Sequence, residues 1–290
     1  MSLPVVGIIS PGHMGTAIGR MLRDHGIRVL TCLDGRSELT RLRALEAGFG
    51  EAPGYDRLVT EIDLLLSVVV PSEAVSVAKL VAGSLRRTGA RPVYADCNAI
   101  SPQTVAEIAR VITEAGSSFI DAGVIGPPPS ERGDTRLYCS GPDCSALEAM
   151  GKFGLDIRVV GPLAGQASGL KMVYAASTKG TTALWTELLV AAKALGLDEA
   201  LANEFSMSRS DISRRLMDGI PSMPRRSRRW VGEMEEIAAT FEGLGLTPLM
   251  LQGAAAMFRL VGETALADQT SRQPDPSLEA VLEALKDHLR

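Results

Sequence analysis

Gly12 and Gly15 stand in the stretch Ser10-Pro11-Gly12-His13-Met14-Gly15, between an apolar run and a helical pattern. A dinucleotide pyrophosphate needs backbone N–H groups aimed at it from a helix N-terminus, with no side chain blocking close approach. Two glycines at this spacing meet that need; Ser10 occupies the position where the usual fingerprint has a third glycine. Glycine turns between strand and helix also serve packing alone, and both readings stay open on this turn by itself. Asp34, 19 positions after Gly15, can accept a hydrogen bond from a ribose 2'-hydroxyl, which favours NAD. Arg36 and Ser37 offer a guanidinium fork and a hydroxyl suited to a 2'-phosphate, which favours NADP. A plain Asp34-Gly35 turn is the alternative to both. Gly35 lets the loop present Arg36 and Ser37 to the adenosine ribose, so NADP is the preferred cofactor and NAD the second choice.

The elements that must carry these residues read as an α/β chain. Pro4 to Ile9 is a short apolar run; from Met14 onward Ile18, Met21 and Leu22 recur at helical spacing until Gly26. Arg28 to Leu33 makes a second strand, closing a β-α-β unit. Leu64 to Val70 is a further strand ended by Pro71, with Ser72 and Glu73 opening the next helix. Pro92 to Asp96 precedes Ser101-Pro102, an N-cap and first-turn proline for a helix to about Ala115. Ser118 to Ala122 and Thr135 to Ser140 read as strands. This alternation predicts a Rossmann-type, doubly wound, mostly parallel sheet. Beyond Gly161-Pro162 no strand-like run follows, and Trp230, Met234, Ile237 and Phe241 share one helical face. The expectation is a nucleotide-binding domain over residues 1–162 and an all-α domain over 163–290.

The chain has 290 residues, 46% of them hydrophobic and 4% aromatic, and a formal charge of -4. That composition suits a packed globular protein and gives no general attraction to nucleic acid or anionic membranes. The apolar runs are strand-sized, so no membrane span is expected. Met1 to Val6 has no basic region or cleavage site, which reads as an unprocessed cytoplasmic chain. Cys32, Cys97, Cys139 and Cys144 lack Cys-x-x-Cys spacing, and the histidines are His13, His25 and His288. Neither a disulfide framework nor a metal site is expected.

Four motifs occur in order: Gly7 to Gly15, Asp96-Cys97-Asn98-Ala99-Ile100-Ser101-Pro102, Asp121-Ala122-Gly123-Val124-Ile125-Gly126-Pro127, and Gly165 to Lys171. On these the chain resembles the β-hydroxyacid dehydrogenase superfamily, which includes 6-phosphogluconate and 3-hydroxyisobutyrate dehydrogenases and, more distantly, imine reductases. Arg228 to Ala238 is similar to a branch with a DUF1932 C-terminal domain, in which glycine-arginine-serine follows the second strand, again pointing to NADP. The resemblance implies a cofactor cradle of Ser10, Pro11, Gly12, His13 and Met14, with Val69, Val70 and Pro71 beneath the adenosine and ribose and Asn98 near the nicotinamide ribose. It implies Lys171 as the catalytic lysine and Gly123, Val124, Ile125 and Gly126 as substrate-binding. It also implies a homodimer in which Arg229 and Trp230 act on the partner's site. Two departures stand out: the family asparagine four residues after the lysine is Ala175, and the family's serine-glycine-glycine is Ile125-Gly126-Pro127.

Hydride transfer at a carbonyl carbon leaves charge on oxygen, so a proton donor or acceptor must sit beside that oxygen. Lys171 is the candidate; its ammonium titrates at about 10.4 in water, and burial beside a cationic nicotinamide lowers that. Tyr174, three residues on, is a second candidate, with core packing the alternative. The cluster Arg225, Arg226, Arg228 and Arg229 reads first as a surface paired with Glu233, Glu235 and Glu236, apart from Arg229 and Trp230 in the branch motif. The expected function is an NAD(P)-dependent dehydrogenase or reductase of a small polar hydroxy or keto acid-like substrate. Imine reduction and a non-catalytic dinucleotide-binding regulator are the rivals.

Overall fold

The computed structural model describes residues 3–9, 11–130, 133–208, 217–270 and 273–289. It divides into two compact units, Met1–Met172 and Val173–Arg290. Ser10, named above, lies outside the described residues.

The first unit opens with β1 (Val5–Ile9), α1 (His13–Asp24), β2 (Arg28–Thr31), α2 (Glu38–Glu46), β3 (Gly50–Glu51) and α3 (Gly54–Glu61). It continues with β4 (Leu64–Ser67), α4 (Pro71–Thr88), β5 (Val93–Asp96), α5 (Pro102–Glu114), β6 (Phe119–Ile125), β7 (Arg136–Ser140), α6 (Ser145–Glu148) and β8 (Asp156–Gly161). Among the described residues the strands form one eight-stranded sheet in the order β3-β2-β1-β4-β5-β6-β7-β8. All neighbours run parallel except β6 and β7, which are antiparallel. The Rossmann-type, mostly parallel sheet is therefore as expected.

Period-two alternation builds both faces. Val6, Ile8, Leu64 and Leu66 pack with Ile18 and Leu22 of α1, whereas Ile9 and Leu65 pack with Val77, Val81 and Leu85 of α4 and Ile108 of α5. A strand covered on both faces is apolar throughout, which is why β4 shows no alternation in the sequence. The strand order reverses between β1 and β4, so the ends of these strands, with α1 and α4 leaving to opposite faces, form the crevice where such sheets take ligands.

Several details differ from the sequence expectation, among them the end of β4 at Ser67 and the elements α2, β3 and α3, which it did not include. The helix after β4 starts at Pro71 with Val70 as N-cap, not at Ser72, because proline at the first helical position has its φ preset and needs no N–H partner. Strand β6 runs on to Ile125, since antiparallel β7 pairs with it up to Ile125↔Arg136. Strand β8 was not anticipated; it is an edge strand with Val159 and Val160 48% and 37% exposed, so it lacks the apolar signature of a covered strand.

Helix α7 (Gln166–Ala175) begins in the first unit, and a π-helical turn follows over Ala176–Gly180. The second unit is helical: α8 (Thr181–Ala194), α9 (Asp198–Ser208), α10 (Pro224–Gly243), α11 (Leu249–Glu263) and α12 (Leu278–His288). Trp230, Met234 and Ile237 of α10 are buried as the 3.6-residue period requires, with Phe241 only partly covered. Trp230 meets Phe258 of α11 edge-on at 5.2 Å. No described helix is long and apolar enough to cross a membrane.

Candidate active site

The glycine turn lies at the crevice end of β1. Gly12 caps α1 in an extended backbone conformation and, as glycine, supplies no side-chain cap of its own. The first-turn N–H groups of α1 are therefore not capped by a side chain of that residue, the arrangement that accepts an anion. Thr16 ties the turn down through Oγ1 to the Pro11 carbonyl at 3.0 Å. His13 is exposed, Met14 half-buried and Pro11 buried.

After β2, Asp34 and Ser37 are exposed and Arg36 half-buried. Gly35 adopts φ +69°, a left-handed turn residue that brings Arg36 N onto the Leu33 carbonyl at 3.1 Å. The Arg36 fork donates from Nη2 to the Tyr55 hydroxyl at 3.1 Å, while its Nε is buried without an acceptor. Ser37 is the N-cap of α2 and accepts from Thr40 N at 3.3 Å. Val70 is 47% exposed where β4 gives way to α4. Val69, which is partly buried against the core, donates its N–H to Asn98 Oδ1 at 2.6 Å.

Asn98 is buried and its amide is committed to the protein: Nδ2 donates to Ser67 Oγ at 3.2 Å and to Asp96 Oδ2 at 3.0 Å. The side chain thus splices the ends of β4 and β5, and the backbone carbonyl of Asn98 accepts from Lys171 Nζ at 3.4 Å. Lys171 is half-buried on α7. Gly123 on β6 explains how α7 comes so close: a Cβ there would lie 2.8 Å from the Ala167 carbonyl oxygen and 3.1 Å from Lys171 Cβ. Val124 and Ile125 are buried in the strand, and Gly126, at φ +123°, has Asp134 O 2.3 Å from where a Cβ would be. Gly123 and Gly126 therefore admit neighbouring backbone that a side chain would displace, while Val124 and Ile125 pack within the strand.

In the second unit, Tyr174 is 48% exposed. Trp230 is buried, and Lys179 Nζ stands 5.8 Å from its ring centroid while pairing with Glu233 at 2.6 Å. Arg229 Nε reaches the same carboxylate at 3.2 Å. Arg225 pairs with Asp275 and Arg228 with Asp268. Arg226 has no carboxylate partner among the described residues; burial lowers its pKa, and the neighbouring charges of Arg229 and Arg225 lower it further.

A family model described as the NAD binding domain of 6-phosphogluconate dehydrogenase matches residues 5–153, just over half of the chain. The chain belongs to this family. A second model, the domain of unknown function DUF1932, matches residues 192–261 of the helical unit. An uncharacterized 28.5 kDa protein in the 7S RNA 5' region of Methanothermus fervidus is 29% identical over 262 residues, 89% of this chain and 99% of that protein. A solved conserved protein of unknown function, described as structurally similar to 3-hydroxyacid dehydrogenases, is 31% identical with a TM-score of 0.65. That match covers 88% of this chain and 96% of the other. The Mycobacterium tuberculosis 3-hydroxyisobutyrate dehydrogenase solved with L-serine has a TM-score of 0.69 at 17% identity, over 98% and 100% of the two chains, a likeness of fold.

Within this NAD-binding unit, several residues that sequence reasoning passed over now have places. Tyr55 supports Arg36; Asp96 and Asp121 are wholly buried carboxyls behind Lys171. Only the motifs around the two aspartates signalled them, since a strand residue's neighbours across a sheet are not written in its own segment. Burial pushes the Asp96 carboxyl up to about 7; Asp121 adds to the rise, and Asn98 and Lys171 oppose it. The unfolded value is 3.8, so between those limits the folded family member holds a proton that the unfolded chain has lost. Stability then falls as pH rises through this window, by about 1.4 kcal/mol between pH ~6 and ~8 from this group. Asp96→Asn should flatten the slope. Urea midpoints at the two pH values, with equal slopes in both proteins, would remove Asp96 as its origin.

Proposed function

We propose that this protein is an NAD(P)-dependent oxidoreductase, with NADP preferred, that moves a hydride between nicotinamide and the carbonyl or alcohol carbon of a small polar, hydroxy or keto acid-like substrate. The observation that carries the reading is Lys171: a half-buried amine held 3.4 Å from the Asn98 backbone carbonyl, in the same unit as a helix whose N-cap is the turn glycine Gly12.

The residues fit the cofactor. Arg36 keeps a buried Nε–H without an acceptor next to the exposed Ser37 hydroxyl, which suits a 2'-phosphate, and the first turn of α1 suits the pyrophosphate. When bound, a nicotinamide dinucleotide supplies the hydride acceptor or donor. The chain's own part is proton handling. Lys171 Nζ gives a proton to the substrate oxygen in reduction and takes one in oxidation, and the Asn98 carbonyl orients it. Tyr174, three residues along, carries a hydroxyl that is a second group suited to the same duty.

The test is direct: titrate the protein with NADPH and NADH and follow binding by fluorescence. NADPH is expected to bind at least tenfold more tightly, the value of one charge-assisted contact. Binding of neither nucleotide overturns the reading. The reading includes a second copy of the chain, because Leu244, Leu246, Leu249 and Met250 are 69%, 54%, 70% and 79% exposed within one short segment. Light scattering that gives a monomer mass overturns that part.

A further inference from the structure

Asp121 lies in the middle of β6 with none of its surface exposed. Its carboxylate is committed almost wholly to the start of α7. Oδ2 accepts from Gly165 N at 2.9 Å, Ser168 N at 3.0 Å and Ser140 Oγ at 3.0 Å, and Oδ1 accepts from Ser168 Oγ at 2.5 Å. Ser140 Oγ in turn accepts from Ala167 N at 3.0 Å. The opening N–H groups of a helix are usually satisfied by a residue just before it or by water. Here they are satisfied from inside the sheet, by an anion 44 and 47 residues earlier in the chain, and α7 has no acidic residue of its own in the first turn.

Two residues further along β6, on the same face of the strand, Gly123 leaves no Cβ between the sheet and α7, where one would sit 3.1 Å from Lys171 Cβ. The helix is therefore fixed at two points on one strand: gripped at Asp121 and admitted at Gly123. Ser168, which makes two of the four bonds to Asp121, precedes Lys171 by one helical turn. With the backbone of α7 pinned there, the reach of Lys171 to the Asn98 carbonyl is set by its side-chain dihedrals alone. A negative charge at a helix N-terminus is also favoured by the helix dipole, so the carboxylate suits this duty better than a neutral amide of the same shape.

We propose that Asp121 is the positioning residue of Lys171: its carboxylate, bound to Ser168 and Gly165, sets where the Lys171 amine stands relative to Asn98. The functional meaning of this rests on Lys171 being the proton-transfer group, but the test does not.

The full-length protein and its Asp121→Asn and Ser168→Ala variants are labelled with a trace of acetic anhydride at one pH. Acetylation of Lys171 is read by mass spectrometry against the exposed Lys152 in the same molecule, alongside the thermal midpoint and NADPH affinity. A residue that only stabilises the fold lowers the midpoint and leaves the labelling ratio alone. A positioning residue frees the amine, and the ratio is expected to rise about fivefold in Asp121→Asn and by less in Ser168→Ala. Should Asp121→Asn not fold, Ser168→Ala, which keeps the carboxylate and removes one donor, decides the matter. A ratio within about twofold of the parent in every folded variant overturns the proposal. Because no substrate is involved, that failure is separate from the failure of the proton-transfer reading of Lys171, which shows as undiminished hydride transfer in a Lys171 variant, and from that of the oxidoreductase reading, which shows as binding of neither nucleotide.

Discussion

Lys171→Met should lower hydride transfer by about 10²- to 10⁴-fold, the usual contribution of a positioned general acid or base, while nicotinamide nucleotide affinity stays within about twofold. Methionine keeps the length and much of the volume of the stem and removes only the amine. The stem lies along α7 where Gly123 lets helix and strand meet, so a shorter side chain would leave a gap and confuse a packing loss with a chemical one. The Nζ bond to the Asn98 carbonyl is long, at 3.4 Å, so its loss disturbs the fold little. Lys171→Arg separates charge from proton transfer: the guanidinium keeps the cation but does not release a proton at working pH, and the rate should stay low. The measurement is single-turnover oxidation of NADPH with a carbonyl substrate selected on the parent protein. A Met variant as fast as the parent removes Lys171 from the chemistry. Equal activity in the Arg variant and the parent would assign Lys171 an electrostatic role instead.

What the sequence conveyed and what it withheld follow one physical line. Signals confined to one segment were legible: Gly12 ahead of a 3.6-residue pattern marked the start of α1, and Ser101-Pro102 marked that of α5, where Ser101 Oγ does accept from Thr104 N at 3.2 Å. The apolar run Leu64 to Leu66 announced a strand covered on both faces. Signals that depend on what lies across the sheet were not legible. Asp121 reads as one letter of a motif, and only the fold shows that four donors from residues 140 to 168 converge on it. Asn98 was expected near a ribose, and its amide is found splicing β4 to β5. In the helical unit the arginine run was read as a paired surface, with Glu233, Glu235 and Glu236 as the partners. The Arg229–Glu233 pair is local, one turn apart, whereas Arg225 and Arg228 find Asp275 and Asp268 some forty or more residues away in the chain. The partly buried Lys179–Glu233 pair over Trp230 joins a π-turn to α10, and no single-segment pattern encodes such a contact.

Arg36→Ala should weaken NADPH binding by about 10- to 100-fold and leave NADH binding within about threefold, the loss of one or two charge-assisted contacts to a phosphate. The asymmetry is the argument. Arg36 has two separable parts: its backbone N–H closes the turn on the Leu33 carbonyl at 3.1 Å, which alanine retains, and its fork reaches the Tyr55 hydroxyl at 3.1 Å with Nε buried and unanswered. A buried donor without an acceptor costs about 1–3 kcal/mol, and a phosphate oxygen delivered to it recovers that cost only when NADPH binds. Arg36→Lys keeps a positive charge but presents a point charge in place of the fork, so its NADPH affinity should fall between parent and alanine variant. Tyr55→Phe removes the acceptor that aims the fork, and a loss of a few fold for NADPH alone is expected, as for one neutral hydrogen bond. Isothermal titration with both nucleotides across the four proteins gives the comparison. An equal loss for NADPH and NADH in Arg36→Ala would make Arg36 a support of the loop. A parent protein that prefers NADH would shift the ribose contact to the exposed carboxylate of Asp34, 19 positions beyond Gly15, and NAD would be the cofactor.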